Sequence, residues 1–293
     1  MVYFPSKSSR LTLRPISYFC RAFRNEPGHN HQTMRKILFL GLVLPLVLGS
    51  CQLKEEFVFE KNGSGNYSVG MDMSEVMAAA KEGMDSTAQE SRVARDTTVH
   101  FADILDERKD SIKLLPAKDQ RNLELLRPMK FGYVEDEAAG KMEFALDMPF
   151  KNLDNLTEMF TAMGELDGEY LGEMVSKGGG KPKEKKKDGD DDFLQMGQSY
   201  TTHFSKKNFS RKMTEKARQE FIAQKDSIFG GEMGQFMDML QIKQVYRFPY
   251  KVKSVSNPNA KIGSDFKSVE VTGPLKKMKE ELEYFDIEVE FER

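Results

Sequence analysis

Short stretches in which apolar and polar residues alternate recur along the chain, and this period of two predicts β-strands. The first two strands, residues 57–60 and 67–71, flank Asn62-Gly63, a dipeptide typical of the tight turn of a hairpin. A second hairpin is predicted over residues 129–134 and 141–148. Further strands are predicted at residues 96–101, 199–204, 244–255, 267–271 and 286–291.

Apolar residues at helical spacing predict several helices between these strands. The strongest pattern covers residues 153–175, where Leu156, Phe160 and Met163 share one face. Strands and helices come in blocks and do not strictly alternate, so we predict an α+β fold: an antiparallel sheet built from hairpins, with several packed helices. The other predicted helices follow Ser74 or cover residues 104–115, 119–126, 214–228, 232–240 and 274–283.

Residues 177–192 interrupt the predicted fold. Their sequence, KGGGKPKEKKKDGDDD, combines glycines with blocks of opposite charge and cannot bury apolar surface, so we predict a flexible, disordered linker. The strands on each side of it are too few for two independent sheets. We therefore expect both halves to share one sheet within a single domain, residues 57–293.

The N-terminal region carries the pattern of an export signal. Residues 37–49 form an apolar run of about 13 residues, too short for a membrane-spanning helix, which needs roughly 20. Arg35 and Lys36 precede the run, and Met34 is a natural start, so we predict a signal peptide over residues 34–50. Residues 1–33 are interpreted as a non-native upstream extension; an organellar transit peptide is the alternative.

The end of this signal resembles a known processing motif. Leu48-Gly49-Ser50-Cys51 is similar to the lipobox of bacterial lipoproteins, which implies cleavage before Cys51 and a diacylglyceryl group on its sulfur. Two or three acyl chains hold a protein stably on a membrane. An ordinary secretory signal that happens to contain a cysteine is the alternative.

The residues after Cys51 resemble the short acidic export signals of surface lipoproteins in the Bacteroidetes group. A plain charged tether is the alternative, and we expect residues 51–56 to act as a lipidated tether. Exported proteins of this group also carry O-glycans where Asp precedes Ser or Thr and then an aliphatic residue or Thr. The resemblance therefore implies candidate glycosylation at Ser86, Thr97, Ser111 and Ser227.

Composition excludes several kinds of binding site and metal site. Residues 51–293 contain 37 basic and 45 acidic residues, a formal charge of −8, and no overall basic balance favours nucleic acid. The mature chain has only two histidines, His100 and His203, and Cys51 is its one cysteine. This excludes a disulfide framework and a Cys-rich zinc site. We predict no catalytic residue, cofactor or metal.

The sequence therefore predicts a lipoprotein of the outer membrane, facing the periplasm or the cell surface. Its partners would be the membrane, through lipid on Cys51, and a protein of the cell envelope, for which it would serve as an interaction or scaffold protein. A carrier of an apolar ligand is the alternative, because Met-rich helices can line an adaptable cavity. A less favoured alternative is an enzyme using carboxylates such as Asp72, Asp103 or Asp147.

Overall fold

A computed structural model describes residues 51–74, 94–136, 139–166, 196–230, 234 and 237–292. The span Ser50–Arg293 is one compact unit, and the predicted α+β class is confirmed. The described strands are β1 Gln52–Phe59, β2 Gly65–Asp72, β3 Arg95–His100, β4 Lys130–Asp136, β5 Lys141–Phe150, β6 Tyr200–Phe204, β7 Asn208–Met213, β8 Gln241–Arg247, β9 Val252–Val255, β10 Ala260–Ile262, β11 Ser268–Pro274 and β12 Ile287–Phe291.

Some of the described helices are shorter than the sequence pattern predicts. The predicted helix over residues 104–115 is divided at Arg108 into two short ones, and the predicted helix at 274–283 is a single turn. The α-helices are α1 Phe101–Glu107, α2 Lys109–Ile112, α3 Ala117–Leu125, α4 Leu153–Glu165, α5 Glu215–Ile228 and α6 Lys277–Glu280, and a 3₁₀ helix spans Met196–Ser199.

Both predicted hairpins are confirmed. β1 and β2 pair antiparallel around a turn in which Gly63 adopts φ 87°, and β4 and β5 pair antiparallel around Gly140 at φ 65°. Only glycine adopts such positive φ angles without a steric penalty. These local signals are strong because the turn and both of its strands are adjacent in sequence.

The two halves of the chain share one eight-stranded sheet, here called sheet A, with the order β10-β11-β8-β1-β2-β5-β4-β3. Its centre joins β1 to β8, which lie on opposite sides of residues 177–192 and pair in parallel from Gln52 opposite Gln241 to Val58 opposite Arg247. The other pairs of sheet A are antiparallel. The shared sheet is thus confirmed, but it is mixed, not purely antiparallel.

A second sheet, sheet B, has the order β6-β7-β12-β9 and is antiparallel. Its strand β7 was not predicted. The single strand predicted at residues 244–255 is also wrong, because β8 belongs to sheet A and β9 to sheet B. Between the two sheets lies an aromatic core in which Phe59 stacks on Phe204 at 4.4 Å between ring centroids and Phe209 packs against Tyr246 at 4.9 Å.

Helix α4 covers part of sheet A. The side chain of Asn152 accepts a hydrogen bond from the Asn155 amide at 2.8 Å and caps the helix, while Leu156, Met159 and Met163 are buried. Leu166 leaves the helical conformation at ψ 138°, so α4 ends ten residues before the predicted limit at 175. The predicted extension 1–33, signal peptide 34–50, linker 177–192 and Ser86 lie outside the described residues.

Candidate functional site

Cys51, the predicted lipid site, stands directly before the central strand of sheet A. Its carbonyl oxygen accepts a hydrogen bond from the Gln241 amide at 2.9 Å, so β8 already engages the chain at this residue. In the uncleaved chain Cys51 is 2% exposed. Once this part of the sheet has folded, the Cys51 side chain is therefore not accessible to solvent.

The prediction that residues 51–56 form a tether is wrong. They belong to β1, where Leu53 and Glu55 point into the core and are each about as buried as Phe57. Lys54 and Glu56 lie on the opposite, solvent-facing side, and Glu56 accepts hydrogen bonds from Lys54 at 2.6 Å and from Arg247 at 2.5 Å. The charged side chains of Lys54 and Glu56 therefore lie on one face of β1, and they do not prevent residues 52–56 from joining sheet A.

Glu55 is the centre of a buried polar cluster between the two sheets. Arg211 of β7 donates two hydrogen bonds to its carboxylate, from Nη1 to Oε2 at 2.5 Å and from Nη2 to Oε1 at 2.6 Å. The Tyr67 hydroxyl donates to Oε1 at 2.8 Å, and Nε2 of Gln244 donates to Oε2 at 3.0 Å. Both charged side chains are 1% exposed. The carboxylate thus accepts from four donors: two nitrogens of the charged Arg211 and one side chain from each strand next to β1 in sheet A.

Aromatic rings enclose the guanidinium of Arg211. Its Cζ lies 4.4 Å from the ring centroid of Tyr200 and 4.9 Å from that of Phe57, distances typical of cation–π contacts. Its Nη1 also lies 3.5 Å from the Tyr246 hydroxyl, which donates to Gln244 Oε1 at 3.0 Å. The Nε atom of Arg211 is buried and has no hydrogen-bond partner. Aromatic side chains of β1, β6 and β8 therefore surround the guanidinium.

The electrostatics agree with this enclosure. Burial lowers the pKa of Arg211 by itself, but attraction to Glu55 outweighs it and holds the pKa well above the usual range. Burial, followed by the nearby Glu55 carboxylate, raises the pKa of Tyr67 well above its ordinary value. Burial likewise raises the pKa of Tyr246 to about 12. The cluster is thus one salt bridge surrounded by hydroxyl and amide groups that hydrogen-bond to it or to one another.

This cluster ties sheet B to sheet A. Glu55 is 1% exposed, and it does not line either of the two clefts described below. Sequence reasoning missed it although a signal exists: Leu53, Glu55 and Phe57 alternate in β1 as Phe209, Arg211 and Met213 alternate in β7. One acid and one base, each on an otherwise apolar strand face, indicate a buried pair.

The remaining predicted sites are scattered over the surface. Thr97 lies in edge strand β3, Ser111 in α2 and Ser227 in α5, and each is exposed. His100 and His203 are on β3 and β6, which are edge strands of different sheets, so a joint histidine site does not form.

The carboxylates considered for an enzyme do not converge either. Asp147 of β5 pairs with Ser68 of β2. Asp72 lies four residues after Ser68 on β2, about 13 Å further along the sheet. Asp147 accepts a hydrogen bond from Asn66 at 3.2 Å, whereas Asp72 accepts one from the Ser74 amide at 3.0 Å. The two carboxyl groups therefore serve local structure.

The clefts on the described surface include two of different size. The larger, about 470 Å³, is polar, and in it Asp286 accepts a hydrogen bond from the Met213 amide at 2.9 Å. Burial raises the pKa of Asp286, and the neighbouring Glu283 adds to this rise. The smaller cleft lies between α4 and β6, next to Leu156, Phe160 and Tyr200, and its volume is about 230 Å³. Ligand sites usually exceed roughly 300 Å³, so the smaller cleft suits only a few atoms.

No protein-family model, curated protein or solved structure matches this chain. Its function must therefore be argued from its own residues. Within the described ranges, no three His, Cys, Asp or Glu side chains are grouped as a metal ion would require. No helix in that part of the chain has the length and apolarity to cross a membrane.

Proposed function

We propose that this chain is a lipoprotein of the bacterial outer membrane, anchored through acyl chains on Cys51, and that it acts as an interaction protein through its folded surface. The observation that carries the proposal is a coincidence of two boundaries. The lipobox-like motif predicts cleavage between Ser50 and Cys51, and the compact unit begins at Ser50. A signal peptide removed at this point would leave the folded domain intact.

The position of Cys51 also suits a close anchor. Because β1 begins at Gln52, acyl chains on Cys51 would be separated from sheet A by no tether at all. The domain would then be held with the Cys51 end of its strands at the bilayer, and its loops at the opposite end would face away from it. Such a fixed orientation presents the same surface to every partner, which suits a scaffold.

An interaction role is supported over the carrier and the enzyme by the same geometry. The apolar side chains of α4 are packed against sheet A, and the cleft beside them is too small for a lipid-like ligand. The buried charges of Glu55 and Arg211 neutralise each other and expose no reactive group. The exposed loops are what remains for recognition.

The anchor is tested by Cys51→Ser in the full chain in its native host. Wild type should incorporate labelled palmitate and sediment with membranes, because two or three acyl chains bind a bilayer stably. Cys51→Ser should be exported but unlabelled and largely soluble. An unlabelled wild type, or a mature N-terminus at a residue other than Cys51, would refute the proposal.

A further inference from the structure

We propose that the end of the domain opposite Cys51 is a docking surface for an acidic protein partner, with Phe266 as its apolar anchor. This surface, here called the distal end, consists of the turns at residues 60–64, 205–207, 248–251 and 263–267 together with Lys151. The proposal rests on the proposed interaction role and names the chemistry of the partner.

The sheet register places these loops together. The β1–β2 turn follows Phe59, which pairs with Gly65, and Gly65 in turn pairs with Phe150, the residue before Lys151. Phe204 stacks on Phe59, so the β6–β7 turn is at the same end. β11 runs from this end to Pro274, opposite Gln241 and next to Cys51. Seven strand residues and the turn separate Phe266 from the anchor by about 25 Å.

Phe266 has a backbone conformation that a phenylalanine seldom adopts. Its φ is 53°, it is 60% exposed, and it occupies the last position of a four-residue turn closed by its own amide donating to the Gly263 carbonyl at 3.0 Å. Glycine or asparagine is preferred at such a position, and a bulky residue there is a real outlier. The ring is not among the side chains that form the hydrophobic core or pack against it.

The turn holds this ring rigidly. Asp265 accepts hydrogen bonds from the amides of Lys267 and Ser268 and from the Ser268 hydroxyl, at 2.8–3.0 Å. The Phe266 carbonyl accepts from the Val252 amide at 2.7 Å, which fixes the turn against the segment that carries Lys251. Ile262, 43% exposed, lies just before the turn. A rigid, exposed aromatic residue with an aliphatic neighbour is typical of an interface hot spot.

Unpaired positive charge surrounds these apolar residues. Hydrogen bonds hold the lysine-bearing loops at this end. The Lys61 carbonyl accepts from the Tyr250 hydroxyl of the 248–251 turn. The Lys207 and Lys251 carbonyls accept from the amides of the consecutive residues Phe291 and Glu292. Exposed lysines that pair with no carboxylate among the described residues are Lys61, Lys151, Lys206, Lys207, Lys251 and Lys267.

The carboxylates at this end are fewer. Glu60, Asp265 and Glu292 are exposed here, and Glu290 is neutralised by Lys253 at 3.1 Å. The distal end therefore carries an excess of about three positive charges on a mature chain whose formal charge is −8. A positively charged patch on a negatively charged protein attracts acidic partners to that patch.

The ligand that fits is an acidic protein surface with an apolar pocket. A polyphosphate would pair with the lysines but has no apolar surface to cover the exposed ring of Phe266. The membrane that would hold Cys51 is about 25 Å away, beyond the reach of these side chains. A pocket rimmed by carboxylates satisfies both the ring and the lysines.

The test is photo-cross-linking of the full, lipidated chain in its native host, with p-benzoylphenylalanine at position 266 and, as a matched control, at Leu114, which is 86% exposed. Position 266 should give a protein adduct whose cross-linked peptide contains more Asp and Glu than Lys and Arg, together with apolar residues; position 114 should not. Lys251→Glu with Lys267→Glu should reduce the adduct about fivefold or more, because rim charges set the rate of encounter. Lys216→Glu with Lys276→Glu should leave it unchanged.

Phe266 itself is tested with the cross-linker at position 262. Phe266→Gly should reduce that adduct about tenfold or more, while the melting temperature stays the same or rises, because glycine tolerates φ 53°. The proposal would be overturned if no adduct formed, or if the adduct contained phospholipid, glycan or a second copy of this chain. It would also be overturned if the charge reversal left the yield of the adduct unchanged. Palmitate labelling of the same cells reports separately on the anchor at Cys51.

Discussion

Replacing Glu55 by glutamine should destabilise the domain by about 3–5 kcal/mol, because it leaves the buried guanidinium of Arg211 without a counter-ion. Both side chains are 1% exposed, so water cannot substitute for the lost carboxylate. Glutamine can still accept hydrogen bonds from Tyr67, but its amide group would face the donors of Arg211. Arg211 cannot relieve the cost by losing its proton.

The magnitude follows from the enclosure of the pair. For a domain of this size each kcal/mol shifts the melting temperature by about 2–4 °C, so Glu55→Gln should lower it by roughly 6–20 °C. Arg211→Met should also destabilise the domain, because it leaves the buried carboxylate of Glu55 without its counter-ion. The double variant Glu55→Leu with Arg211→Met should be much closer to wild type than the sum of the single variants, since an apolar pair of similar volume removes both buried charges.

The assay is thermal and urea unfolding of residues 51–293 carrying Cys51→Ser, with the double-mutant cycle on that background. Lys253→Ala is the matched control, because its ion pair with Glu290 is 65% and 61% exposed and should contribute less than about 1 kcal/mol. If Glu55→Gln changes the free energy of unfolding no more than Lys253→Ala does, or if the double variant is as unstable as the sum of the singles, the account of the cluster is wrong.

Three further predictions concern the rest of the chain. Burial raises the pKa of Asp286, so the folded state binds more protons than the unfolded state and this group's contribution falls as pH rises above about 4; Asp286→Asn should therefore raise the melting temperature at pH 7 and hardly change it at pH 3. Fragments 51–176 and 193–293 should each fail to unfold cooperatively, because β1 and β8 need each other at the centre of sheet A; a cooperative transition in either one would contradict this. Deletion of residues 177–192 should leave the melting temperature within a few degrees, and loss of the fold would show that this segment packs.

Local pattern alone determined much of the architecture. The hairpins at Gly63 and Gly140, the start of α4 at Leu153 and the terminal strand β12 were all predicted from alternation, turn residues or helical spacing. These features depend on residues close in sequence, so the chain specifies them before any tertiary contact forms. The cleavage predicted between Ser50 and Cys51 is also a local inference, and it stays a prediction; the compact unit begins at Ser50.

Only the tertiary structure decided which strands pair and which charges are buried. The parallel pairing of β1 with β8 joins residues that are far apart in sequence, and no local pattern selects that partner. Residues 51–56 were predicted as a tether because three of them are charged, yet Glu55 enters the core because Arg211, 156 residues away, supplies two hydrogen bonds and a compensating charge. A buried charge is stable only when its partner is present, and that partner is defined by the fold, not by the neighbouring residues.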